Sequence, residues 1–298
     1  MTTTPLPLSE YADAPGFFVL TLEPNQGPMV VLDHPLIQRL EAAIRAIPAA
    51  AQGLVLRSGS DRVFVAGADL KSIDTWPDDQ LINYLAYGTR VFGLLCELNC
   101  PTVAAISGAA LGGGLELAMH CDGLVAAPSP SGKPYPVGLP ESGLSICPGW
   151  GGTNLLPARM DAADAITRTA TGKNMTYDEA VAAGMFDRVA PSAEELIPAA
   201  VQWIKDRRAK GHTRRDGDPS RWIGRPDAKA VVLAGLLAAR SALPATESAA
   251  AVVRAIEVGL EEGWQAAVML ERRELVRLRS TAAGKAALKA FFEKSVKK

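Results

Sequence analysis

The chain has 298 residues, 48% of them hydrophobic and 21% charged, with 31 Lys and Arg balancing 32 Asp and Glu. So apolar a composition excludes a disordered chain, and a formal net charge of −1 argues against nucleic acid as a partner of the whole protein. The length suits one large domain or two unequal ones.

In chain order, the apolar runs Gly16–Leu22 and Pro28–Leu32 flank a Pro-Asn-Gln-Gly turn and predict a β-hairpin. Asp33 can cap a helix from His34 to about Ile47, where Leu36, Leu40, Ile44 and Ile47 recur at helical spacing. Gly53–Arg57 reads as a short buried strand, Ser58–Ala68 as a loop, and Asp78–Leu98 as a long helix. Thr102–Ser107 is a strand, Gly108–Gly114 a turn, Leu115–Cys121 a helix and Gly123–Ala127 a strand, an alternation that argues for an α/β class. Two capping boxes follow, Thr176 with Glu179 and Ser192 with Glu195. After about Trp203 the strand signals stop. Lys205–Lys229, with nine basic residues against four Asp, is the linker between a core at 1–204 and a helical region at 205–298.

The longest apolar run of the second half, Ala230–Ala239, is about half of a bilayer span, so no membrane partner is expected. Met1–Glu10 carries no basic residue ahead of an apolar run, which argues against a secretory signal. Cys96, Cys100, Cys121 and Cys147 lack paired spacing, and His34, His120 and His212 are scattered. The expectation is four buried thiols in a reducing cytoplasm and no metal.

Three segments carry chemistry: Phe64-Val-Ala-Gly-Ala-Asp-Leu-Lys71, Ala110-Leu-Gly-Gly-Gly-Leu-Glu-Leu-Ala118, and Gly138-Leu-Pro-Glu141 running on to Pro148-Gly-Trp-Gly-Gly-Thr153. In the second, a strand gives way to glycines and then to an apolar helix, which leaves unpaired amides where negative charge is stabilised. Glu116 falls in that first turn, either as an ordinary dipole-favouring acid or as a working carboxylate. Glu141 lies in an apolar loop, and a carboxylate there is a surface turn residue or, with its pKa raised, a proton carrier. Ala66-Gly67-Ala68-Asp69 offers a second set of amides ahead of a helix start, or a plain loop capped by Asp69.

These segments, in this order, resemble the enoyl-CoA hydratase/isomerase (crotonase) superfamily over roughly residues 15–190. Phe64–Lys71 is similar to its first acyl-CoA loop, Ala110–Asp122 to its glycine-triplet helix, and Leu139–Thr153 to its Pro-Glu loop with the following glycine-rich turn. The tail from about Trp264, ending in Phe291-Phe292-Glu293-Lys294 and Val296-Lys297-Lys298, resembles the segment after the hydratase part of multifunctional fatty-acid β-oxidation enzymes.

The resemblance implies a ββα spiral core with a C-terminal helical region, a CoA thioester as substrate, and an oxyanion hole from the backbone N–H groups of Ala68 and Gly113. It implies Glu116 as the base that activates water and Glu141 as the acid that exchanges a proton with C2 of a 2-enoyl thioester. Arg62, Ala66, Asp69, Leu70 and Lys71 would bind the CoA end, with Arg62 and Lys71 toward the phosphates and some of Lys294, Lys297 and Lys298 joining them. No cofactor is implied beyond the CoA of the substrate. A homotrimer or hexamer follows from the resemblance, supported by apolar residues Leu236, Leu237, Val253, Leu260, Leu275 and Leu288, and a separate 3-hydroxyacyl-CoA dehydrogenase is a further partner.

Alternatives are a Δ3,Δ2-enoyl-CoA isomerase, which can use Glu141 alone, and a non-catalytic acyl-CoA-binding subunit. The chain departs from the family at Leu139, where many hydratases carry Gln, and at Trp150, which either narrows the acyl pocket or packs in the core. It also departs at the insert Pro128–Pro136, expected to lengthen a surface hairpin before Glu141.

Overall fold

A computed structural model describes residues 3–211 and 216–296. His212, Lys297 and Lys298, named above, lie outside the described residues. In chain order the first half comprises β1 (Leu8–Glu10), β2 (Phe17–Leu22), α1 (His34–Arg45), β3 (Gly53–Ser58), β4 (Val63–Val65), α2 (Leu70–Thr75), α3 (Asp78–Glu97), β5 (Thr102–Ile106), β6 (Ala109–Leu111), α4 (Gly113–Met119) and β7 (Gly123–Ala126). The rest comprises β8 (Pro136–Gly138), α5 (Gly152–Leu155), α6 (Ala162–Thr171), β9 (Met175–Thr176), α7 (Tyr177–Ala182), β10 (Arg188–Val189), α8 (Leu196–Ala209), α9 (Pro226–Ala239), α10 (Glu247–Glu262), α11 (Trp264–Arg279) and α12 (Ala282–Val296). Single 3-10 turns at Glu141–Leu144, Leu156–Ala158 and Arg240–Ala242 complete it. This is the expected α/β class with a helical C-terminal region, and it divides into two compact units.

The first unit takes Met1–Gly67, Arg90–Val137 and Met175–Ser220. Its larger sheet has the order β1-β2-β3-β5-β7-β10, parallel from β2 onward, with β1 antiparallel at the edge. Near-continuous apolar strands such as Leu54-Val-Leu56 and Val103-Ala-Ala-Ile106 suit a sheet buried on both faces. One face carries α8, whose Leu196, Ala200, Val201 and Ile204 pack on Phe17, Val19, Val55, Val103 and Val125. The close approach requires Gly53 and Gly123, where an added Cβ would meet Ile204 and Trp203 at 2.6 Å. A second sheet has the order β4-β6-β8-β9.

The hairpin expected over residues 16–32 does not form. Both edges of β2 are occupied, by β1 and β3, so Val30 and Leu32 pair elsewhere: Ala66 N donates to the Val30 carbonyl (2.8 Å) and Leu32 N to that of Gly67 (2.9 Å). The insert Pro128–Pro136 likewise makes no hairpin, because β7 and β8 belong to different sheets. The Thr176–Glu179 capping box is present, but the one at Ser192 is not. There the helix begins at Leu196, which puts Pro198 in its first turn, where the missing N–H costs no helical bond. Residue 205, the expected boundary, falls inside α8.

The second unit takes Ala68–Thr89, Gly138–Asn174 and Arg221–Lys298. It is helical, with α10 packed on α11 and α6, and α9 on α6. In it α11 reaches both α2 and α5. Of the apolar residues expected to need a partner chain, Leu236, Leu260, Leu275 and Leu288 are buried within the chain, whereas Leu237 stays 63% exposed, and Val231 and Leu233 of the same helix are exposed too.

Candidate active site

Glu116 is carried by α4 in the first unit. Gly112 caps this helix at φ +51°, in the region that favours glycine. Gly114 lies so close to β4 that an added Cβ would stand 2.5 Å from the Val65 carbonyl oxygen. The triplet therefore serves as turn and close approach, with Gly113 opening the helix. Glu116 sits in the first turn, 1% exposed, and the Glu116 carbonyl meets Nδ1 of buried His120 at 2.8 Å. Asp122 pins the far end: its carboxylate accepts from Thr102 N (2.8 Å) and Oγ1 (3.2 Å) while Asp122 N donates back to Thr102 Oγ1 (3.1 Å).

Upstream, Gly67 adopts φ +126°, and Ala66 and Gly67 are held by Val30 and Leu32 as described. Asp69 is the N-cap of α2, accepting from Lys71 N (3.1 Å) and Ser72 Oγ (2.6 Å), with Leu70 as the first helical residue. The side chains of Arg62 and Lys71 are exposed.

Glu141 belongs to the second unit and opens a 3-10 turn closed by bonds from Gly143 N to the Pro140 carbonyl (2.9 Å) and from Ile146 N to that of Glu141 (3.1 Å). Gly172, at φ +68°, backs this turn; a Cβ there would meet Gly143 Cα at 2.8 Å. The residue is half-buried, but its carboxylate is inside: Oε2 is buried and, among the described residues, has no hydrogen-bond partner, as is also true of Ser142 Oγ. Burial, reinforced by the charge of Glu271, pushes the Glu141 carboxyl from 4.5 up to about 8.

Glu271 on α11 escaped the sequence reading. It is 0% exposed and accepts from the amides of Gly151 and Thr153 (2.9 Å for Thr153) and from the Thr153 hydroxyl. Burial raises it to about 7, against the lowering by these donors. A signal existed: Trp264, Val268, Glu271, Leu275 and Leu278 form one buried stripe, in which an acid is out of place. Trp150, beside this glycine-rich turn, is core packing. Its Nε1 donates to the Leu85 carbonyl (2.9 Å), it stacks edge-on with Tyr84, and Gly88 makes room for it.

The expected site residues thus divide between the units. Arg62, Ala66, Gly113 and Glu116 lie in the first, and Ala68, Asp69, Leu70, Lys71 and Glu141 in the second. Among the described residues no group of three or more His, Cys, Asp or Glu is placed to hold a metal, and no helix is long and apolar enough to cross a membrane.

The sequence profile of the family described as Enoyl-CoA hydratase/isomerase matches residues 27–214. The chain is 38% identical over 193 residues to the fatty acid oxidation complex subunit alpha of Shewanella amazonensis, which covers 64% of this chain and 25% of that protein. It is 35% identical over 203 residues to the subunit of the same name from Pseudomonas aeruginosa, covering 62% and 27%. The chain therefore spans about a quarter of the length of these curated relatives. In fold it is similar to an enoyl-CoA hydratase from Bacillus halodurans (TM-score 0.66, 20% identity, covering 96% of this chain and 99% of that one). It is similar as well to human mitochondrial delta3-delta2-enoyl-CoA isomerase (TM-score 0.66, 21% identity, covering 95% of each).

Proposed function

Because the chain belongs to the enoyl-CoA hydratase/isomerase family, we propose that it adds water across the C2=C3 bond of a 2-enoyl-CoA thioester to give a 3-hydroxyacyl-CoA. In this reading the Ala68 and Gly113 amides hold the thioester oxygen. Attack of water at C3 builds negative charge there, and each donor aimed at that oxygen is worth about 3–4 kcal/mol in the transition state. Ionised Glu116 takes the proton of the attacking water, and protonated Glu141 delivers its own to C2. Proton exchange with solvent then resets both acids. Coenzyme A enters as part of the substrate, with Arg62 and Lys71 toward its phosphates.

The observation that carries this reading is that both acids are present with enclosed carboxylates. Glu116 is 1% exposed and Oε2 of Glu141 is buried. Burying two acids is costly, and a pure acyl-CoA-binding subunit gains nothing from it. The name of the matched relatives, a subunit of a fatty acid oxidation complex, fits a fatty acyl thioester as substrate, and a separate 3-hydroxyacyl-CoA dehydrogenase as partner belongs to the same proposal. Self-association through the exposed apolar residues of α9 is part of the same proposal.

The test is turnover of crotonyl-CoA and of a 3-enoyl-CoA by the purified protein and its Glu116→Gln and Glu141→Gln variants. Hydration is expected to fall about 10²–10⁴-fold in either variant. Full turnover in Glu116→Gln with none in Glu141→Gln assigns the chain to isomerisation instead.

A further inference from the structure

α11 carries a buried acid that the proposed reaction does not use. The Glu271 carboxylate receives three hydrogen bonds, two from amides and one from a hydroxyl, in a site with no exposure. Three donors suit an ionised carboxylate, which only accepts; a neutral acid has a proton of its own to place. Glu141 has fewer donors: its own amide favours the charged form, but its buried Oε2 is reached by no described donor. The charge of Glu271 helps raise the Glu141 carboxyl, and two coupled carboxyl groups in apolar surroundings resist ionising together, which leaves the charge to the member with more donors.

The other charges on the packed elements are engaged elsewhere or exposed. Glu274 pairs with Arg254 and Arg277, Arg277 also with Glu247, and Arg279 with Asp78. Arg272 reaches toward Thr89, Asp164 and Arg168 pair on α6, and Lys285 and Lys289 of α12 are exposed.

We infer that Glu271 is a positioning residue: held as the charged member of the pair by the Gly151–Thr153 turn, it keeps the proton on Glu141, where the reaction needs a donor. The inference rests on the hydration reading for its purpose, but not for its test. With the full chain labelled by carbon-13 at the glutamate side-chain carboxyl, NMR titration follows both acids directly, and Glu141→Gln identifies the Glu141 resonance.

In Glu271→Gln the Glu141 resonance is expected to titrate roughly one pH unit lower. Thr153→Val removes one donor and leaves the acid; it is expected to move Glu271 to higher pH and Glu141 to lower, while Thr153→Ser keeps the unsubstituted titration. The basic limb of kcat moves with Glu141, with KM nearly constant, which a merely structural role would not produce. A Glu141 resonance unmoved in both Glu271→Gln and Thr153→Val overturns the inference. Absence of turnover on any 2-enoyl thioester sinks the hydration reading separately, and the titration still decides the coupling of the two acids.

Discussion

Glu116 and Glu141 differ in how their burial could be foreseen. Glu116 follows a glycine triplet, so its place in the first turn of α4 was legible from local spacing alone. The enclosure of Glu141 depends on Gly172, some thirty positions onward, where space beside Gly143 is set by the fold. Gly172→Ala combines a strained φ with a backbone clash and is expected to lose about 1–3 kcal/mol in chemical denaturation, together with activity as Glu141 shifts. The pH dependence of stability follows from the same burial. A carboxyl raised from 4.5 to about 8 keeps its proton longer in the folded state. Its stabilising contribution is complete below about pH 4.5 and is lost as pH rises toward about 8. The melting temperature should therefore fall across that window, and Glu141→Gln should flatten the fall. An equal slope in the variant argues against an enclosed carboxyl.

Elements were legible where their signals were local. The stripe of α1, its Asp33 cap and the Thr176–Glu179 box all needed only neighbours within a turn or two. Thr176→Ala is expected to cost about 1 kcal/mol in urea unfolding. Strand pairing was not legible, because β2 chooses β1 and β3 over the nearer residues 28–32, and nothing within the run itself states which edges are already taken. The function of α11 as a brace was equally hidden. Buried Arg279 donates to the Ile73 carbonyl (2.5 Å) and pairs with Asp78, tying α11 to α2 and the start of α3. Asp78 is 65% exposed, so most of the gain lies in the carbonyl bond. Arg279→Ala leaves that carbonyl unpaired and should cost about 1–3 kcal/mol, with faster amide exchange in residues 70–79 than elsewhere.

For the molecule as a whole, apolar residues of the helical region, Leu236 to Leu288, were expected to support a homotrimer or hexamer. The helices bury most of these by packing on one another, which leaves Val231, Leu233 and Leu237 of α9 at 62%, 48% and 63% exposure. If these exposed residues join copies of the chain, size-exclusion chromatography with light scattering should give a trimer or larger, and Val231→Glu with Leu237→Glu should give a monomer. A monomeric unsubstituted protein defeats the proposed assembly. The division into two units also belongs to this scale, since each is gathered from three separate stretches of chain.

What the residues alone determined was chemistry and local form: the glycine triplet, the Pro-Glu loop, the caps and the α/β alternation, each set by interactions spanning a few positions. Tertiary structure decided which acids are enclosed and which donors meet them, above all the meeting of Glu271 with Gly151 and Thr153, more than a hundred residues apart. The reason is physical: desolvation and hydrogen bonding act through space, and a carboxyl group's ionisation is set by the atoms folded around it.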